Sequence, residues 1–155
     1  EALSLIHQKL YQTSLITRVD MPEYIEKLTL SIAYSFGFSA NEVNIKSNIK
    51  IKTLEADTAI PIGLIINELI NNSFKHAFKE TQKPALSIEM NEEHSNYYLQ
   101  VRDNGPGFEN SNNGHKTSFG MELIRSLTKQ IKGRYTIEHE KGFSITLMFP
   151  KVFTS

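Results

Sequence analysis

Apolar residues along the chain recur with two different periods, and the switches between them delimit the elements. Leu3, Ile6 and Leu10 fall at helical spacing and predict a helix over Glu1 to about Gln12 that begins upstream. Asp20 is placed to cap a second helix, with Pro22 in its first turn and Glu23 three residues on. Tyr24, Leu28, Ile32 and Phe36 would line one side of that helix, and Gly37 would stop it. From Asn44 to Leu54, Ile45, Ile49 and Ile51 alternate with Lys46, Lys50 and Lys52, which predicts one strand or two short ones with the lysines in water. The helical period returns over Asp57 to about Phe78, the longest helix, with Pro61 near its start where a missing N–H costs little.

Strand alternation follows over Pro84–Met90 and Tyr97–Arg102, joined as a hairpin through Glu92–Asn96. Glu109–Thr117 is polar, contains Gly114, has no period and reads as a mobile loop. Phe119–Lys132 reads as a helix ended by Gly133, and Arg134–His139 with Phe143–Phe149 as a closing hairpin around Lys141-Gly142. Hairpins interspersed with helices predict an α+β, two-layer α/β sandwich. The connections are too short for a doubly wound parallel sheet.

The 155 residues suffice for one domain with a sizeable core. Lysine plus arginine equal aspartate plus glutamate, 17 each, so no basic excess is available for non-specific nucleic-acid binding. The chain has no cysteine, which excludes disulfides, thiolate catalysis and zinc–thiolate sites. Its apolar runs are far shorter than a bilayer span. No signal peptide is visible, and the initial Glu1 leads us to expect a fragment of a longer protein.

Three segments can carry chemistry. Glu68, Asn72, Lys75 and His76 recur at four and three residues and would share one face of the long helix. A carboxamide oxygen suits Mg²⁺ that phosphates also hold, a carboxylate can orient or deprotonate a nucleophile, and a lysine can offset phosphate charge. The same residues also suit an ordinary polar helix face. Asp103 ends a strand and precedes Gly105 and Gly107. A buried carboxylate there could accept an exocyclic amine, with the glycines permitting close backbone approach, or the segment could be a plain Asp-Asn-Gly turn. Ser118 opens the next helix, whose first N–H groups suit phosphate as well as a simple cap.

The ordered set Asn67-Glu68-Leu69-Ile70-Asn71-Asn72-Ser73-Phe74-Lys75-His76-Ala77, then Asp103-Asn104-Gly105-Pro106-Gly107, then Gly120-Met121-Glu122-Leu123-Ile124, then Gly142 before a terminal strand, resembles the ATP-binding domain of two-component sensor histidine kinases. These belong to the GHKL ATPases with the Bergerat fold. The resemblance covers roughly Asp20 to Pro150. It implies a mixed, mostly antiparallel sheet packed against about three helices, with ATP between the layers and a flexible lid. It further implies that Asn72 ligates Mg²⁺, Glu68 is the catalytic carboxylate, and Lys75 and His76 contact phosphates. Asp103 would bind the adenine amine, Gly105 and Gly107 would shape the pocket, and Gly120 and Met121 would line the lid hinge and phosphate side.

The Lys75-His76-Ala77-Phe78 ending and short lid are similar to the subgroup with a compact lid. Residues 1–19 then resemble the end of the dimerisation and phosphoacceptor helices, with 20–155 as the catalytic domain. The acceptor histidine of that subgroup lies on an earlier helix, so His7 is read as a packing residue. The implied partners are ATP, the histidine-bearing dimerisation domain of the same protein, a downstream response regulator and a second copy in a homodimer. Nucleic acid and direct membrane contact are not expected, and the domain would face the cytoplasm.

Two positions depart from the pattern. The last motif of the family usually reads Gly-Thr, and here it is Gly142-Phe143, so the water that the threonine helps hold beside adenine is left to Ser144 or to nothing. The lid has no phenylalanine-rich segment, although Phe108 and Phe119 flank it. His94, His115 and His139 lack metal-site spacing and read as surface residues. Two other readings stay open: another GHKL protein, such as a serine-directed anti-sigma kinase or an ATP-driven switch, and a degenerate pocket used for protein binding.

Overall fold

A computed structural model of the protein describes residues 18–39, 41–79, 81–106 and 119–151. The helix expected over Glu1–Gln12 with His7, the loop Glu109–Thr117 with His115, and Gly107, Phe108 and Ser118 lie outside the described residues.

A short strand β1 (Arg18–Asp20) runs directly into helix α1 (Met21–Ser35). The Asp20 carboxylate accepts from the Glu23 N–H at 3.0 Å, as expected of an N-cap. The helix ends where Gly37 takes φ +84 and the Phe38 N–H reaches back to the Ala33 carbonyl. The alternating stretch that follows splits into β2 (Asn44–Ile49) and β3 (Thr53–Glu55), and the two serve different sheets. β3 pairs antiparallel with β1, a two-stranded unit that tethers the starts of α1 and α2. Lys46, Lys50 and Lys52 are exposed, as their alternation implied.

Helix α2 (Ala56–Asn72) begins one residue earlier than expected, and Pro61 lies inside it, beyond the first turn. Pro61 therefore lacks a regular i→i−4 bond to Asp57, unlike a proline in the first turn. Strands β4 (Ala85–Glu93) and β5 (Asn96–Asp103) extend the expected hairpin through its polar end, with Glu93 opposite Asn96 and His94 at φ 57 in the turn. Helix α3 (Phe119–Gln130) closes through Lys132 at φ 57, and Gly133 is needed next because a Cβ there would press on the Met148 carbonyl at 2.7 Å. Strands β6 (Arg134–Glu138) and β7 (Phe143–Pro150) complete a five-stranded sheet ordered β2-β4-β5-β7-β6. Only the β2–β4 pair is parallel.

One face of this mixed sheet meets the three helices. Leu86, Ile88, Leu99, Val101, Ile145 and Leu147 bury against Ile62, Ile66, Leu69 and Ile70 of α2 and its neighbours. Each such side chain contributes about 1.5–3 kcal/mol of burial. The other face is open, with Glu89, Tyr98, Gln100 and Thr146 lining a shallow polar depression. The architecture is the expected α+β sandwich. No helix among the described residues is long and apolar enough to cross a membrane.

Candidate functional site

Helix α2 does not end at Asn72 but passes into one π-helical turn, Ser73–Ala77. There the Phe78 N–H donates to the Ser73 carbonyl at 2.9 Å, an i→i+5 bond. A wider turn rotates everything after it relative to a continuous α-helix. Glu68 and Asn72 are half-buried and Lys75 and His76 exposed, while Leu69, Ile70, Ser73, Phe74 and Ala77 between them are buried, so the four lie on the less buried side of the helix. Phe74 leaves on another side and anchors the turn among Phe36, Phe38 and Phe78, with ring centroids 6.0, 5.1 and 5.1 Å away. Ser73 and Ala77 face the end of β5.

Asp103 lies there, 4% exposed. Its Oδ2 accepts from the Ser73 hydroxyl at 2.8 Å. Its Oδ1 accepts from the Gly105 N–H at 3.0 Å and the Phe143 N–H at 3.3 Å. Three separate segments thus converge on one carboxylate. Steric fit brings them close: a Cβ on Gly105 would overlap the Ala77 side chain, and one on Gly142 would overlap the Asp103 carbonyl. Gly142 also holds φ +100, which side chains rarely adopt. Asn104 locks the turn from outside, accepting from the Ala85 N–H and donating to the Lys83 carbonyl, both at 2.8 Å.

Charge at the helix end is set by burial and by Lys75. Burial raises the Glu68 carboxyl above its ordinary value, and the Lys75 ammonium pulls part of that back. Burial, then Lys75, then Lys79 lower the His76 imidazole below 6.5 and favour its neutral form.

Glu68, Asn72 and Asp103 are thereby joined through Ser73 and the π turn. Gly120 and Met121 occur in the first turn of α3, buried, with Met121 part of the main core. Gly107 lies outside the described residues. Phe143 pairs with Asp103 across the β5–β7 ladder, so its neighbour Ser144 belongs to the opposite face of the sheet. Ser144 therefore does not replace the threonine hydroxyl; its Oγ is buried without a hydrogen-bond partner, and the Phe143 backbone N–H stands beside Asp103 instead. His94 is exposed as expected, but His139 is not a surface residue: it is half-buried, its ring 6.2 Å from that of Phe143. Ser73 was not singled out from the sequence. Its adjacency to Asn72 was visible, but a buried hydroxyl aimed at a residue thirty positions away leaves no local signal.

Among the described residues, no group of three or more His, Cys, Asp or Glu could hold a metal ion. The half-buried Asn72 carboxamide offers one neutral oxygen donor, which would suit a cation held mainly by phosphate oxygens and water.

Residues 57–152 match the family described as histidine kinase-, DNA gyrase B-, and HSP90-like ATPase. Curated protein sequences return no match. Among solved structures, the histidine kinase domain of the Erythrobacter litoralis EL346 blue-light activated histidine kinase superposes with a TM-score of 0.74 at 17% identity, over 86% of this chain and 62% of that one. A longer form of the EL346 kinase gives 0.79 at 17% identity, over 97% and 53%. The mycobacterial sensor histidine kinase MprB gives 0.66 at 14% identity, over 86% and 95%. The chain thus spans less than two thirds of either EL346 structure. With its sheet order, its Asp103 junction and this match over most of its length, the chain belongs to the histidine kinase-, DNA gyrase B-, and HSP90-like ATPase family.

Proposed function

We propose that this chain is the catalytic, ATP-binding domain of a sensor histidine kinase, which passes the γ-phosphoryl group of Mg-ATP to a histidine on a helical dimerisation region of the same protein. The observation that carries this reading is the Asp103 carboxylate. It is buried and, among the described residues, held by three donors that leave one acceptor site on Oδ2. A single acceptor suits the amino group on the edge of an adenine ring and rejects a carbonyl at the same place. Asp103 marks the base end of the site, and Glu68, Asn72, Lys75 and His76 mark its phosphate end.

Catalysis on this reading is positioning plus charge neutralisation. Bound Mg-ATP supplies the group to be transferred. Asn72 offers one oxygen to the metal, and exposed Lys75 offsets phosphate charge as a mobile point cation. His76, kept neutral, can donate a hydrogen bond to a phosphate oxygen. Glu68, whose carboxylate burial makes more basic, can accept the N–H of the attacking imidazole and orient it. Gly105, closed against Ala77, and Gly107 would shape the pocket, and Gly120 and Met121, in the first turn of α3, would flank the phosphates. Residues 1–19 would continue the dimerisation helices and 20–155 form the catalytic domain. A homodimeric parent protein would serve a response regulator, with this domain in the cytoplasm where ATP is available.

Calorimetric titration with ATP and Mg²⁺ tests the reading. Saturable binding is expected, and Asp103→Asn should lose it without unfolding. The amide oxygen can keep both N–H donors and the amide nitrogen can donate to Ser73, but the free acceptor becomes a donor. In the full-length protein, labelled ATP should place acid-labile phosphate on a histidine. No binding at about millimolar ATP, the upper end of ordinary substrate affinities, would sink the proposal.

A further inference from the structure

Ser73 stands on the π turn, 2% exposed, with two acceptors in reach: the Leu69 carbonyl at 3.2 Å and Asp103 Oδ2 at 2.8 Å. A hydroxyl has one proton, and the shorter, charge-assisted bond to the carboxylate takes it. A carboxylate presents about four lone-pair sites. Gly105 and Phe143 use two on Oδ1, and Ser73 uses one on Oδ2. Without the hydroxyl, Oδ2 would lose the one bond that, among the described residues, fixes its side of the carboxylate. An alanine at position 73 would suit the helix as well or better, so helix propensity does not explain the serine.

We infer that Ser73 is a positioning residue for base selection: its hydroxyl, held over the end of β5 by the π turn, pins Asp103 Oδ2 so that one aimed acceptor remains for the 6-amino group of a purine. This rests on the reading of the site as an ATP pocket. It assigns the selectivity for a 6-amino over a 6-oxo purine to the Ser73–Asp103 pair rather than to Asp103 alone. Ser73 acts through Asp103 and makes no step of the chemistry itself.

The experiment is calorimetric binding, with Mg²⁺, of three triphosphates: ATP, purine riboside triphosphate, which lacks the 6-amino group, and inosine triphosphate, which carries a 6-oxo group. Each is titrated into the unmutated chain, Ser73→Ala and Ser73→Cys. The unmutated chain should prefer ATP to both analogues. In Ser73→Ala, ATP affinity should fall about five- to tenfold while purine riboside triphosphate changes less than about twofold, so the preference narrows. Ser73→Cys fills the site with a weaker donor and should fall between. It also carries the test if the alanine variant does not fold. Equal losses for ATP and the analogue would mean that Ser73 only supports the turn, and unchanged preference would mean that it does nothing for the base; either overturns the inference. An unmutated chain that binds all three alike would instead overturn the base-end reading of Asp103, and the inference with it.

Discussion

At the end proposed for the base, Asp103 is buried and takes donors from the π turn, its own strand-end turn and the start of β7. At the end proposed for the phosphates, Lys75 and His76 are exposed, and Glu68 and Asn72 are only half-buried on a single helix. On the proposed reading, the difference follows from what each end would do. Reading the edge of a neutral ring needs an acceptor fixed to within a fraction of an ångström, and only tertiary contacts give that. Neutralising a phosphate needs charge near solvent, where long side chains adapt and desolvation is small. Removing a side chain should therefore cost function and stability together at the first end, and function alone at the second.

The sharpest attempt to break this contrast is Asp103→Ala. It removes the carboxylate that accepts from Gly105, Phe143 and Ser73, so it should cost about 3–5 kcal/mol of stability as well as ATP binding. Chemical denaturation measures the first and calorimetry the second. A variant that kept full stability would show that the three segments do not depend on the carboxylate. Glu68→Gln should behave in the opposite way. Phosphoryl transfer in the full-length protein should drop about 100-fold or more while stability stays within about 0.5 kcal/mol, because a half-buried, disfavoured charge is being removed. Comparable losses in stability and transfer would place Glu68 with the structural residues.

Lys75→Met should weaken ATP binding about fivefold, more at low salt than at high salt, and leave the denaturation midpoint unmoved. The smallest expected effect is a pH dependence. The folded state lowers the His76 pKa, so below its ordinary value of 6.5 the unfolded chain binds more protons, and stability is lost as pH falls through that window. Glu68, raised in the fold, has the opposite sign: above its ordinary 4.5 the folded state holds the extra proton, and stability falls as pH rises. His76→Gln should flatten the loss between about pH 7 and pH 5, read from denaturation midpoints, by a small amount because the side chain is exposed.

The elements were legible wherever one face meets the core. Tyr24, Leu28 and Ile32, or Leu99 and Val101, repeat because a helix or strand buries one side. The caps at Asp20 and Gly37 and the turn at Gly142 were legible because their chemistry is local. The β1–β3 pairing was not, since three-residue strands carry too few alternations to register. The π turn was hidden for a related reason: Ser73–Ala77 continues a helical pattern, and the wider turn is set by where Phe74 and Ala77 must pack. His139 was misread because a polar residue beside a turn looks exposed until its neighbour Phe143 is folded against it.

The sequence alone determined the two-layer α+β architecture, the helix carrying Glu68 and Asn72, and the aspartate at a strand end, because period, capping and turn chemistry act over a few residues. Only the tertiary structure decided that Phe143 offers its backbone N–H to Asp103, that Ser144 turns to the opposite face, and that Ser73 holds the carboxylate. Those outcomes depend on strand register and on three chain-distant segments meeting at one buried charge, whose hydrogen-bonding demand could be met only there.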